Sequence, residues 1–185
     1  YVPYYTKITN YTAPSTLTWV DDYAFANTVY LTNVTFNEGL KQISMNAFYY
    51  GCKNATINIP KTVTSIGSNA FIGAQISQIN VDDENARFID ENGTRLYDKN
   101  KTTIYKVTLD DPEIATNVVL PNTVTYICDG AFTKTSTLKA ITIPSSVTDI
   151  YETFAGCAGD FKIYGEAGSY AQTWAAKKGI IFVGI

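Results

Sequence analysis

The 185-residue chain contains no histidine. That absence removes the commonest general base, the commonest zinc ligand and the usual partner of a serine or cysteine nucleophile. Charge is scarce as well, at 17% of residues, with 14 lysines and arginines against 17 aspartates and glutamates. The net charge of −3 leaves no basic face to neutralise phosphates, so nucleic acid is not expected as a partner. No apolar run approaches the roughly 18 residues of a membrane-spanning helix. There is no starting methionine, and Tyr1 to Tyr5 do not form a signal peptide. A leader or a further portion upstream of Tyr1 therefore stays open. The length suits one domain with a continuous core. Tyrosine (14) outnumbers phenylalanine (9), a composition common on wet binding surfaces.

A 23-residue period runs through the chain. Phe25, Phe48 and Phe71 keep that spacing, as do Val20, Ile43 and Ile66, and Leu17, Leu40 and Val63. A second block carries the same landmarks as Val124, Ile127 and Phe132, then as Val147, Ile150 and Phe154. Proline opens most units, at 14, 60, 121 and 144, with Asn37 in the remaining slot. Alternating pairs such as Ile57/Ile59 and Ile141/Ile143 precede it and predict a strand with one buried face. Proline has no N–H and stops the ladder. The Val-Thr-x-Ile segments predict a second short strand, and the Ala-Phe segment a helical or 3₁₀ turn. One such coil cannot bury its apolar face alone, so coils must stack with strands paired at about 4.8 Å. Five full units and one interrupted unit predict a rod roughly 25–30 Å long.

The period breaks between Pro60 and Pro121, whose separation is not a whole number of repeats. Asn92-Gly93 between apolar pairs signals a hairpin, because a type I′ turn needs positive φ at both central residues. The segment 82–117 therefore predicts a two- or three-stranded antiparallel flap projecting from the solenoid. It either carries binding or merely covers the joint. Towards the end, Ser169-Tyr170-Ala171-Gln172 has the form of a capping box. A helix through Trp174, ended at Gly179, and a strand at Ile180–Val183 would close the open edge and make the C-terminus look complete. Tyr11 and Ala13 match the strand positions only loosely.

The unit running from Ile141 to Cys157, and its second copy from Ile57 to Gly73, resemble the BspA-like leucine-rich repeat family. The likeness covers about 11–81 and 118–160. The interruption at 85–107 and the tail from Ile163 to Phe182 are also similar to that family. The resemblance implies a leucine-rich repeat solenoid, mostly β, with short helical or 3₁₀ turns, stacked parallel strands, one hairpin insertion and a C-terminal helix-strand cap. A single domain over 1–185 divides into repeats at 11–81, insertion at 82–117, repeats at 118–160 and cap at 161–185. It further implies a cell-surface or secreted, non-catalytic module of adhesion or protein interaction, binding host, matrix or partner proteins. A structural spacer in a larger surface protein and a glycan-binding module are the alternatives. The chain departs from the family pattern at Asn37 (for proline), at Cys128 (for glycine) and in the shortened last unit.

No catalytic, cofactor or metal residues are expected, and a monomer is. Cys52 and Cys157 lie in coils far apart along the rod, too distant for a disulfide, and read as reduced packing residues. Cys128 faces a turn without an activating neighbour. The acidic pairs, including Asp82 to Glu84 with Asp90, match no calcium loop and read as solvated turns. A glycosidase needs two carboxylates across a cleft, which a rod does not offer. The candidate interaction surface consists of Tyr49, Tyr50, Tyr97, Tyr105, Tyr126 and Tyr151, at positions the repeat does not require to be apolar.

Overall fold

The computed structural model describes residues 7–185. The leader reading at Tyr1 to Tyr5 lies outside the described residues. The alternating pairs do form strands, because every second side chain turns inward onto its copy in the next coil. Seven strands alternate between two sides of the rod: β1 (Asn10–Thr12), β2 (Trp19–Val20), β3 (Asn33–Thr35), β4 (Gln42–Ile43), β5 (Lys53–Ile59), β6 (Ser65–Ile66) and β7 (Gln75–Val81). The odd-numbered four form one parallel sheet, and β2-β4-β6 form another. Val34 pairs with Ile57, and Ile43 with Ile66, each with its own counterpart in the next repeat. The phenylalanines stack down the axis, with ring centroids 5.0 Å apart for Phe25–Phe48 and 5.4 Å for Phe48–Phe71. Small residues precede them because the backbones meet there: Phe48 N–H donates to Ala70 O at 2.9 Å.

The expected helical turn is realised as single i→i+3 turns, such as Ala24 N–H to Asp21 O. They do not propagate, because the next N–H groups reach across to the neighbouring coil instead. Asn37 occupies a proline slot because its side-chain amide donates to Ala13 O of the coil before.

After β7 come β8 (Phe88–Glu91), β9 (Arg95–Asp98) and β10 (Thr103–Val107), an antiparallel meander. Asn92 and Gly93 both have positive φ, at 53° and 71°, and Thr94 N–H closes the turn on Glu91 O. The meander does not project as expected. Leu96 and Tyr97 have no exposed surface, and Arg95 is buried as a fork on Asp111. Strand β9 is wedged between two stacks of coils, and its exposure would cost the burial of both residues.

The second stack consists of β11 (Val118–Val119), β12 (Tyr126–Ile127), β13 (Ala140–Thr142), β14 (Asp149–Ile150), β15 (Lys162–Gly165), helix α1 (Tyr170–Lys178) and β16 (Ile181–Gly184). Strand β10 joins it in parallel, with Ile104 opposite Ile127 at the repeat offset. Val107 stands in the phenylalanine position, donating to Ala131 O at 3.0 Å. Repeat pairing thus resumes inside the segment read as insertion. The solenoid has about eight turns, more than the landmarks counted, because β1, β10 and both cap strands continue the pairing. The core forms two clusters, and Tyr105 packs against both.

Ser169 caps α1 by accepting from Gln172 N–H. The reciprocal half of the box shifts by one position: Gln172 Oε1 accepts from Gly168 N–H at 2.7 Å. Ser169 N–H is already committed to Glu166 O.

Candidate functional site

The six tyrosines separate into three environments. Tyr49 and Tyr50 lie on a turn corner, 4.7 Å apart, and Tyr23 extends them with its ring 5.6 Å from Tyr49. The Tyr50 ring lies flat against Gly73, where an added Cβ would fall 2.8 Å from it. Gly73 also has φ +67°, so glycine is required there twice over. Lys134 Nζ sits 5.5 Å from the same ring. These groups form an aromatic ridge along the axis, with Tyr23 48% and Tyr50 42% exposed.

Tyr126 and Tyr151 form the second group, 5.2 Å apart, with Tyr151 49% exposed. Burial raises the Tyr126 hydroxyl above its ordinary value, and the adjacent Tyr151 adds to it. Tyr151, Tyr170 and Trp174 line a groove of about 360 Å³ between the last repeat and the cap, crossed by the Lys178–Glu152 ion pair.

Tyr97 and Tyr105 belong to neither surface. Tyr97 is 0% exposed, which rules it out as a contact residue. Its place on β9 between the stacks is decided by the meander, which no spacing revealed. Tyr105 is half-buried, edge-on to Phe88 at 5.5 Å, and bridges the two cores. Burial pushes both hydroxyls up to about 12.

Sequence reasoning missed Tyr23, Tyr170 and Lys134. Tyr23 precedes Ala24-Phe25 and shares a column with Asn46 and Asn69, a visible signal. Lys134 follows Gly73 by the same offset that separates Pro121 from Pro60, and only stacking across the break pairs them. Gly73 N–H donates to Thr133 Oγ1 at 2.8 Å at that joint.

The remaining reactive groups are held in structural roles. Burial pushes the Cys52 thiol up to about 12 and raises Cys128 and Cys157 as well. Cys128 is fully buried rather than facing a turn, because it lies beside Ile127 in the second core. All three cysteines are free. Asp90 accepts from Val81 N–H and Gly93 N–H, Asp82 from Glu84 N–H, and Glu84 pairs with Lys61. The oxygens of Asp82 and Asp90 thus hold backbone N–H groups, and that of Glu84 an exposed ion pair between coils. Among the described residues no helix is long and apolar enough to cross a membrane.

The sequence model of the BspA type leucine rich repeat region matches six copies in this chain, over residues 1–93 and 102–163. No curated protein matches. Three solved structures share the fold. The pneumococcal vaccine antigen PcpA superimposes with a TM-score of 0.66 at 22% identity, over 86% of this chain and 36% of that one. A leucine-rich repeat protein of Eubacterium ventriosum gives 0.59 at 24% identity, over 87% and 55%. A leucine rich cell surface protein of Faecalibacterium prausnitzii gives 0.50 at 22%, over 91% and 62%. The chain spans between about a third and three-fifths of these structures' lengths.

Proposed function

This chain belongs to the BspA-type leucine-rich repeat family, and we propose that it is a non-catalytic protein-interaction module working at the cell surface or outside the cell. The observation that carries the reading is the ridge Tyr23–Tyr49–Tyr50, closed by Lys134. Rigid tyrosines with an apolar face and a wet edge are enriched at the centres of protein interfaces. The ridge is held by Gly73 and by ring-to-ring contacts, so its binding loses little side-chain freedom. Buried, protonated thiols, a chain without histidine and the engagement of Asp82 and Asp90 with backbone N–H groups support the non-catalytic part. The relatives described as a vaccine antigen and a cell surface protein support the location.

The partner class is a host or matrix protein, and the role is adhesion. Purified collagen, fibronectin and laminin are to be passed over immobilised chain and over the double variant Tyr23→Ser/Tyr50→Ser. Capture of at least one, lost in the variant, is expected. Capture that the variant leaves unchanged would remove the ridge, and no capture at all would favour a structural spacer. The groove between Tyr151 and Tyr170, floored by the buried Trp174, favours one second reading, glycan binding, since the two exposed tyrosine rings can stack on sugar faces. A glycan array without hits discards it.

A further inference from the structure

The sheet β2-β4-β6 stops at β6, one coil before the meander. In the coils before it, each carbonyl on the open side is taken by the next coil. Lys41 O accepts from Thr64 N–H and Ser65 N–H, and Ile43 O accepts from Gly67 N–H. One coil later, Thr64 O and Ile66 O occupy the same places, and no backbone N–H among the described residues reaches them. The donors that would continue the ladder are diverted. Arg87 N–H and Phe88 N–H both bond Asn85 Oδ1, at 2.8 Å each. Asn85 is itself anchored, donating to Pro60 O and Val63 O.

A cleft of about 360 Å³ is left where the missing strand would lie. Thr64 and Ile66 line one wall, Arg87 and Lys99 the other, with Phe88 and Tyr105 between. Arg87 and Lys99 are exposed, and neither has a carboxylate within ion-pair distance among the described residues. The one acid lining the cleft, Asp98, is spent on Thr102 N–H, Thr103 N–H and the Thr102 hydroxyl. An open strand edge and two unpaired cations thus face the same slot in a protein of net charge −3.

We propose that this slot takes an extended acidic peptide by strand addition. Its N–H groups complete the ladder on Thr64 O and Ile66 O, and its carboxylates meet Arg87 and Lys99. The open edge spans about three residues, roughly 10 Å at strand rise, so the contact is short and adds to others. The inference takes from the proposed function only that the module binds proteins. It involves none of the ridge residues, so either can fail without the other.

The test is titration of isotope-labelled protein with the blocked peptide Glu-Val-Glu-Val-Glu, followed by backbone amide shifts. Shifts confined to 64–67, 86–88 and 98–100 are expected, with affinity falling about tenfold in Arg87→Ser/Lys99→Ser and falling further with salt. Both side chains are exposed, and an unchanged amide spectrum of the free variant shows that it folds. A peptide methylated on its alternate amides is expected not to bind. Equal binding of Lys-Val-Lys-Val-Lys, shifts centred elsewhere, or no shift at millimolar peptide overturns the proposal. So does binding of an oligouronate at the slot where the peptide fails.

Discussion

Lys106 is the most exacting test of how this core is held. Its side chain is fully buried, and among the described residues its ammonium donates only to Gly130 O, at 3.3 Å. No carboxylate among the described residues pairs with it, and the titratable group acting on it is the Cys157 thiol. Burial pulls its pKa from 10.5 down to about 7. The folded state therefore holds this proton less tightly than the unfolded chain does. Between pH 7 and 10.5 the unfolded chain binds more protons, so this residue makes stability rise with pH. Below pH 7 both states are protonated, and the folded protein carries the full cost of the buried charge. Linkage with these two values gives about 3 kcal/mol of added stability between pH 6 and pH 9. The thiols oppose the trend at the alkaline end, since folding keeps them protonated. Comparison with Lys106→Met cancels their share. The variant should exceed the wild type by about 3 kcal/mol more at pH 6 than at pH 9, about 6–12 °C in Tm. Urea and thermal unfolding followed by tryptophan fluorescence at both values measure it. Parallel pH curves for the two proteins would refute the buried, uncompensated ammonium.

Asp111→Ala removes the one fully buried carboxylate on the Arg95 guanidinium, leaving it the half-exposed Glu113, a longer contact to Glu91 and Val119 O, and should cost about 3 kcal/mol in urea unfolding. Arg95→Met/Asp111→Leu together should cost much less, which a double-mutant cycle reads. Asn85→Ala leaves Val63 O, Arg87 N–H and Phe88 N–H without their partner and Pro60 O with Val63 N–H alone, and a loss of about 3 kcal/mol is expected. Gly73→Ala should destabilise by about 1 kcal/mol or more, through its φ, and lift the Tyr50 ring from the ridge, which amide and ring shifts would register. Cys52 and Cys128 should resist a thiol reagent at pH 8 in the native protein and react fully in denaturant, because burial keeps both thiols neutral.

The core was legible in the sequence because it is one-dimensional. Each landmark meets its own copy in the next repeat, so spacing alone predicts that Phe25, Phe48 and Phe71 stack. The Asn92-Gly93 turn was legible for a local reason, the positive φ both positions tolerate. The site was less so. Outward positions obey no apolar rule, and nothing local distinguishes buried Tyr97 from exposed Tyr50.

The coil, its period, the turn of the meander and the closing helix are written in the residue pattern, since each rests on contacts between near neighbours or between copies at one offset. Tertiary structure alone decided what happens at the break. There the meander lies in the rod rather than outside it, Gly73 meets Thr133 across the interruption, and β6 is left with an open edge beside Arg87 and Lys99. The physical reason is that a repeat encodes its own stacking, while an interruption must be solved by packing, and packing depends on every residue that surrounds the gap.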